Sequence, residues 1–119
     1  PDELLGEAVL LGAHGGINGG ANLFPRLYVK LWEAAAAGDR EAVIPLHELV
    51  IRISMTLYNV GRYPASSYIK GLKCALALRQ ICSDVLAEPF QRFGDPERRK
   101  VQAHLEDLLP RLEQRGLWP

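Results

Sequence analysis

The residues with the densest chemical potential lie in the run Gly12-Ala13-His14-Gly15-Gly16-Ile17-Asn18-Gly19-Gly20-Ala21-Asn22-Leu23-Phe24-Pro25, which holds five glycines within fourteen residues. Glycine is costly to order, so such a cluster belongs where the backbone passes close to something or takes φ > 0. Gly16 to Gly20 also precede a helix start, and a helix N-terminus attracts anions, which raises a phosphate cradle as one reading. The spacing fits neither G-x-G-x-x-G nor the Walker pattern, and that weakens the nucleotide reading. His14, His47 and His104 share no ligand spacing, and Cys74 and Cys82 form no C-x-x-C pair, so no metal site is expected. Both cysteines sit among apolar neighbours and read as reduced, buried packing residues, which places the chain in the cytosol. Nothing in the sequence sets Glu33 and Glu88 at an acid/base separation. Trp32, Tyr28, Tyr58, Tyr63, Tyr68 and Phe90 read as packing aromatics.

The elements that must position these residues are mostly helical. Pro1-Asp2-Glu3 opens a helix, with carboxylates favouring the positive end of its dipole, and Gly12 stops it. Ala13 to Asn18 reads as a short buried strand. Pro25 opens a second helix to about Ala37, stopped by Gly38, and Asp39 caps a third running to about Tyr58. Pro45 predicts a kink in that helix. Gly61 to Pro64 is a turn, and a fourth helix covers about Ala65 to Gln80. Ala87 to Phe93 is expected to be extended, because Pro89 disfavours helix at Glu88. Asp95-Pro96-Glu97 opens a last helix, which Pro110 is expected to bend or interrupt. This inventory of some five helices and one strand is incomplete in itself, since a lone strand leaves its backbone groups without partners.

Composition narrows the function classes. The chain has 119 residues, 48% of them hydrophobic and 24% charged, enough for one globular domain. Fourteen basic residues balance fourteen acidic ones, so no net charge steers the chain toward nucleic acid or an anionic membrane. No apolar run approaches the roughly 18 residues of a membrane span, and no secretory signal is present.

The glycine run also carries a resemblance. Gly12-Ala13-His14-Gly15-Gly16-Ile17-Asn18-Gly19-Gly20-Ala21-Asn22 resembles the last barrel strand and following loop of the dihydrodipicolinate synthase and N-acetylneuraminate lyase family. The likeness continues through Leu31-Trp32-Glu33-Ala34-Ala35-Ala36-Ala37-Gly38-Asp39, Tyr68-Ile69-Lys70-Gly71-Leu72-Lys73 and Ala87-Glu88-Pro89-Phe90. It covers nearly the whole chain and only the last third or so of the family pattern. It implies an α/β class, the (β/α)8 TIM barrel, represented here by a mostly α-helical C-terminal fragment with one barrel strand. Residues 1–38 would be the last barrel units (helix, eighth strand, eighth helix), and residues 39–119 a C-terminal helical extension.

Members of that family cleave or form carbon–carbon bonds of pyruvate and related 2-oxo acids through a lysine Schiff base, without metal or cofactor. The resemblance implies that Gly16, Ile17, Asn18 and Gly19 line the substrate pocket. The family places serine or glycine at the positions of Asn18 and Gly19, so Asn18 departs from the commoner pattern. Its amide can donate to or accept from a substrate hydroxyl or carboxylate. Lys30, Lys70, Lys73 and Lys100 are the only lysines, and the resemblance places the nucleophile upstream of all four. The chain alone is therefore expected to hold no catalytic residue and to be inactive, and the intact protein to be a homo-oligomer. The alternative is an independent α-helical interaction module without catalysis.

Overall fold

The computed structural model describes all 119 residues, Pro1–Pro119. It contains five α-helices: α1 (Leu5–Leu10), α2 (Pro25–Ala36), α3 (Arg40–Thr56), α4 (Pro64–Leu78) and α5 (Asp95–Glu113). Short 3-10 turns at Asp2–Leu4, Gly19–Asn22 and Leu57–Asn59 punctuate them. The chain divides into two compact units, Pro1–Arg52 with Leu112–Pro119, and Ile53–Arg111.

In the first unit α1 packs on α2, and α2 packs on the Gly19–Asn22 turn. Leu27 and Leu31 lie one helical turn apart and are fully buried, as an apolar stripe at that spacing requires. Phe24 is fully buried and meets the Trp118 ring edge-to-face, with centroids 5.6 Å apart. Gly38 ends α2 at φ 71°, and Asp39 Oδ1 accepts the Ala42 N–H at 3.0 Å, the cap expected of it.

The second unit is built on α4 against the Leu57–Asn59 turn. Their approach is set by Gly71, where a Cβ would lie 1.8 Å from the Leu57 carbonyl oxygen. The Tyr58 and Tyr68 rings meet edge-to-face at 4.6 Å. Between α4 and α5 runs an irregular segment with a turn at which the Phe90 N–H bonds the Ala87 carbonyl at 3.1 Å. Buried Asp84 ties this segment to α5 through an ion pair with Arg98, and Arg92 stands 3.7 Å from its other oxygen.

Four expectations need correction. Ala13–Asn18 carries no strand assignment, because no neighbouring strand is present to complete a ladder. Pro110 does not interrupt its helix, since the proline removes a single backbone bond while buried Leu105, Leu108 and Leu112 keep α5 on its apolar face. Cys82 is exposed, unlike Cys74, because α4 stops at Leu78 and leaves it on the irregular segment. Trp32, Tyr63 and Phe90 also keep much of their surface in solvent.

Candidate functional site

The glycine segment is held by a residue far from it in sequence. Asp2 is only 5% exposed, and its carboxylate gathers three donors. Oδ2 accepts the Gly20 N–H at 2.9 Å and the Tyr28 hydroxyl at 2.8 Å. Oδ1 accepts the Asn18 side-chain amide at 3.4 Å. The expected role of Asp2 as a helix-dipole carboxylate is therefore secondary. Its burial is supported by the donors around it, as buried carboxylates require. Periodicity carries no sign of this, for the partners lie 16, 18 and 26 residues away. The sequence holds fourteen acidic residues, and no local signal separates Asp2 from the others.

Further bonds fix the rest of the segment. Trp32 Nε1 donates to the His14 carbonyl at 3.0 Å, and the Ala21 N–H reaches the Asn18 carbonyl at 3.2 Å. Asn22 Nδ2 donates to the Gly19 carbonyl at 2.9 Å. These bonds hold both ends of the run from His14 to Gly20.

An open cleft of about 360 Å³ lies alongside, lined by Gly15, Gly16, Asn18, Tyr28 and Trp32 among others. Gly16 and Asn18 are thus brought together on one wall. A Cβ on Gly16 would stand 2.5 Å from Asn18 Oδ1 and 3.0 Å from Leu5 Cδ1, so a larger residue there would have to displace the Asn18 side chain. Ile17 is fully solvent-exposed and not part of the cleft lining, and Gly19 lies half-buried at the turn behind it.

No cluster of three His, Cys, Asp or Glu side chains gathers as a metal would need. The four lysines are all at least partly exposed. Lys30 pairs with Glu33 at 2.9 Å, Lys70 stands 5.0 Å over the Phe93 ring, and Lys73 Nζ lies 4.0 Å from Cys82 Sγ. Burial pushes the Cys74 thiol above its ordinary value, with the Arg98 charge opposing and the Asp84 charge adding.

A family model described as the dihydrodipicolinate synthetase family matches residues 1–108. The chain belongs to this family. An uncharacterized DapA-like lyase of Halobacterium salinarum is 32% identical over 107 residues, covering 90% of this chain and 33% of the relative. A 4-hydroxy-tetrahydrodipicolinate synthase of Pseudomonas savastanoi pv. phaseolicola is 29% identical over 102 residues, covering 74% of this chain and 33% of its own. Among solved structures, dihydrodipicolinate synthase from Bacteroides thetaiotaomicron superposes with a TM-score of 0.87 at 56% identity, over 91% of this chain and 36% of that one. The dihydrodipicolinate synthetase family chain thus spans about a third of the length of the relatives it matches. It is a mostly helical C-terminal part of the family's TIM barrel.

Proposed function

We propose that the chain is the C-terminal portion of a Schiff-base-forming lyase or aldolase acting on pyruvate or a related 2-oxo acid, with Gly16 to Gly19 lining the substrate pocket. The observation that carries this reading is the family match over residues 1–108, which includes the whole glycine run that Asp2 holds in place. In such a reaction a lysine amine condenses with the substrate ketone and releases water. The resulting imine accepts the electron pair of the breaking carbon–carbon bond, and a proton then replaces the departing carbon. The residues of this chain contribute to binding: small Gly16 lets the backbone approach the ligand, and Asn18 supplies a polar contact. The exposed or partly exposed lysines of this chain do not serve as the nucleophile, so the 119-residue chain is inactive by itself. The working enzyme is a cytoplasmic homo-oligomer in this reading.

Borohydride trapping with pyruvate, read by intact mass, tests it on both this chain and the product of its full reading frame. A pyruvate adduct on the longer product alone is the expected result. No adduct on either rejects the imine mechanism and favours a helical interaction module instead.

A further inference from the structure

Away from the glycine run, two nucleophilic side chains meet in the second unit. Lys73 lies in the second half of α4, and Cys82 follows the end of that helix. The chain reverses between them. Arg79 closes α4, Gln80 takes φ 58°, and the Ile81 N–H bonds the Leu76 carbonyl at 3.0 Å. The Gln80 N–H bonds the Ala77 carbonyl, also at 3.0 Å. Two such bonds around a left-handed residue make a Schellman stop, which turns the chain off the helix axis. Cys82 is thereby brought to Lys73, with Nζ 4.0 Å from Sγ. Cys82 is exposed and Lys73 half-buried, so both are open to a solute. The pairing is particular to these two residues. Lys30 is held by Glu33 at 2.9 Å, Lys70 stands over the Phe93 ring, and Cys74 is buried.

We propose that Cys82 and Lys73 form an acyl-transfer pair, in which Cys82 takes the acyl group of a small acyl thioester and passes it to Lys73. In the first step Cys82 Sγ bonds the thioester carbonyl carbon and the donor's carbon–sulfur bond breaks. The donor thiol departs with the proton that Cys82 gives up. The acyl carbon now sits one bond from Sγ and within about 3–3.5 Å of Nζ, the separation of a near-attack arrangement. In the second step the free amine of Lys73 bonds that carbon, the bond to Sγ breaks, and a proton from nitrogen returns to sulfur. The products are an amide on Lys73, an unmodified Cys82 and a released thiol, with no change of oxidation state. An ammonium on α4 is thus replaced by a neutral group. The proposal is independent of the imine reading, since neither residue belongs to the glycine run.

The test incubates the product of the full reading frame with acetyl-coenzyme A and follows each lysine by peptide mass spectrometry. Lys73 is expected to acetylate at least about tenfold faster than Lys30, Lys70 or Lys100, as proximity to a thiol implies. Cys82→Ser, at an exposed position, leaves those three unchanged and lowers Lys73 to their level. Lys73→Arg stops the second step, so a hydroxylamine-labile acetyl group accumulates on Cys82. Unfolding in guanidinium chloride removes the helix stop and is expected to cut the Lys73 preference severalfold. A Lys73 rate no higher than that of the other lysines, or one that persists in Cys82→Ser, overturns the proposal. So does an acetyl group that stays on Cys82 in the unsubstituted protein.

Discussion

Tyr28 shows how a single buried hydroxyl can support a loop. Its ring fills the first unit and its oxygen satisfies the Asp2 carboxylate at 2.8 Å, so Tyr28→Phe keeps the packing and removes one donor from a buried acceptor. The expected loss is about 2 kcal/mol in urea unfolding, the range for a hydrogen bond to a charged group. A cost near zero would mean that solvent reaches Asp2. The two cysteines diverge at the same scale. A thiol reagent should label Cys82 in the native protein and Cys74 only on unfolding. The folded-state value of Cys74 lies above its ordinary 9.0, so beyond that pH the unfolded chain gives up a proton that the folded chain retains. Stability from this group is therefore complete below about pH 9 and is lost as pH rises through the raised value. Urea midpoints measured from pH 8 to 10.5 should fall, and Cys74→Ala should flatten that fall.

Among the elements, α4 has the least freedom to adjust. At Gly71 its backbone sits so close to the Leu57 carbonyl that even one methyl group cannot be placed without moving main chain. Gly71→Ala should destabilise by about 3 kcal/mol or more, although alanine is ordinarily the better helix former. Thermal unfolding would reveal it, and a stabilised variant would show that α4 can slide away from the Leu57–Asn59 turn. The Asp84 carboxylate plays a comparable part for the irregular segment, which has few backbone bonds and is tied to α5 through Arg98. Helix starts at Pro25 and Asp95 were legible in the sequence because proline and acidic residues at a first turn have a local physical cause, whereas Pro64, read as the end of a turn, opens α4. The continuation of α5 through Pro110 was not, since it depends on how firmly the flanking leucines are buried, which is tertiary information.

For the molecule as a whole, the proposed imine chemistry predicts that pyruvate trapping separates this chain from a longer reading frame, since its four lysines are all at least partly exposed. The family and its barrel were readable from the order of the glycine run and the Gly-Leu-Lys helix, but the hydrogen-bonded frame around Asn18 was not. Asp2, Gly20 and Tyr28 belong to different elements, and only folding brings their atoms together. The run from Ala13 to Ile17 has one more consequence. The Ala13 N–H bonds the Ala8 carbonyl and the His14 carbonyl accepts Trp32 Nε1, but chain that pairs so few of its amides and carbonyls is ordinarily a template on which a second copy can zip, the first step toward fibres. Here the template is blunt. Gly15 and Gly16 interrupt it and Gly19 and Gly20 follow, each entropically reluctant to be fixed in a ladder and without a side chain to interlock, and only Ile17 is a large apolar residue. The scarcity of side chains in this run thus guards it against its own copies.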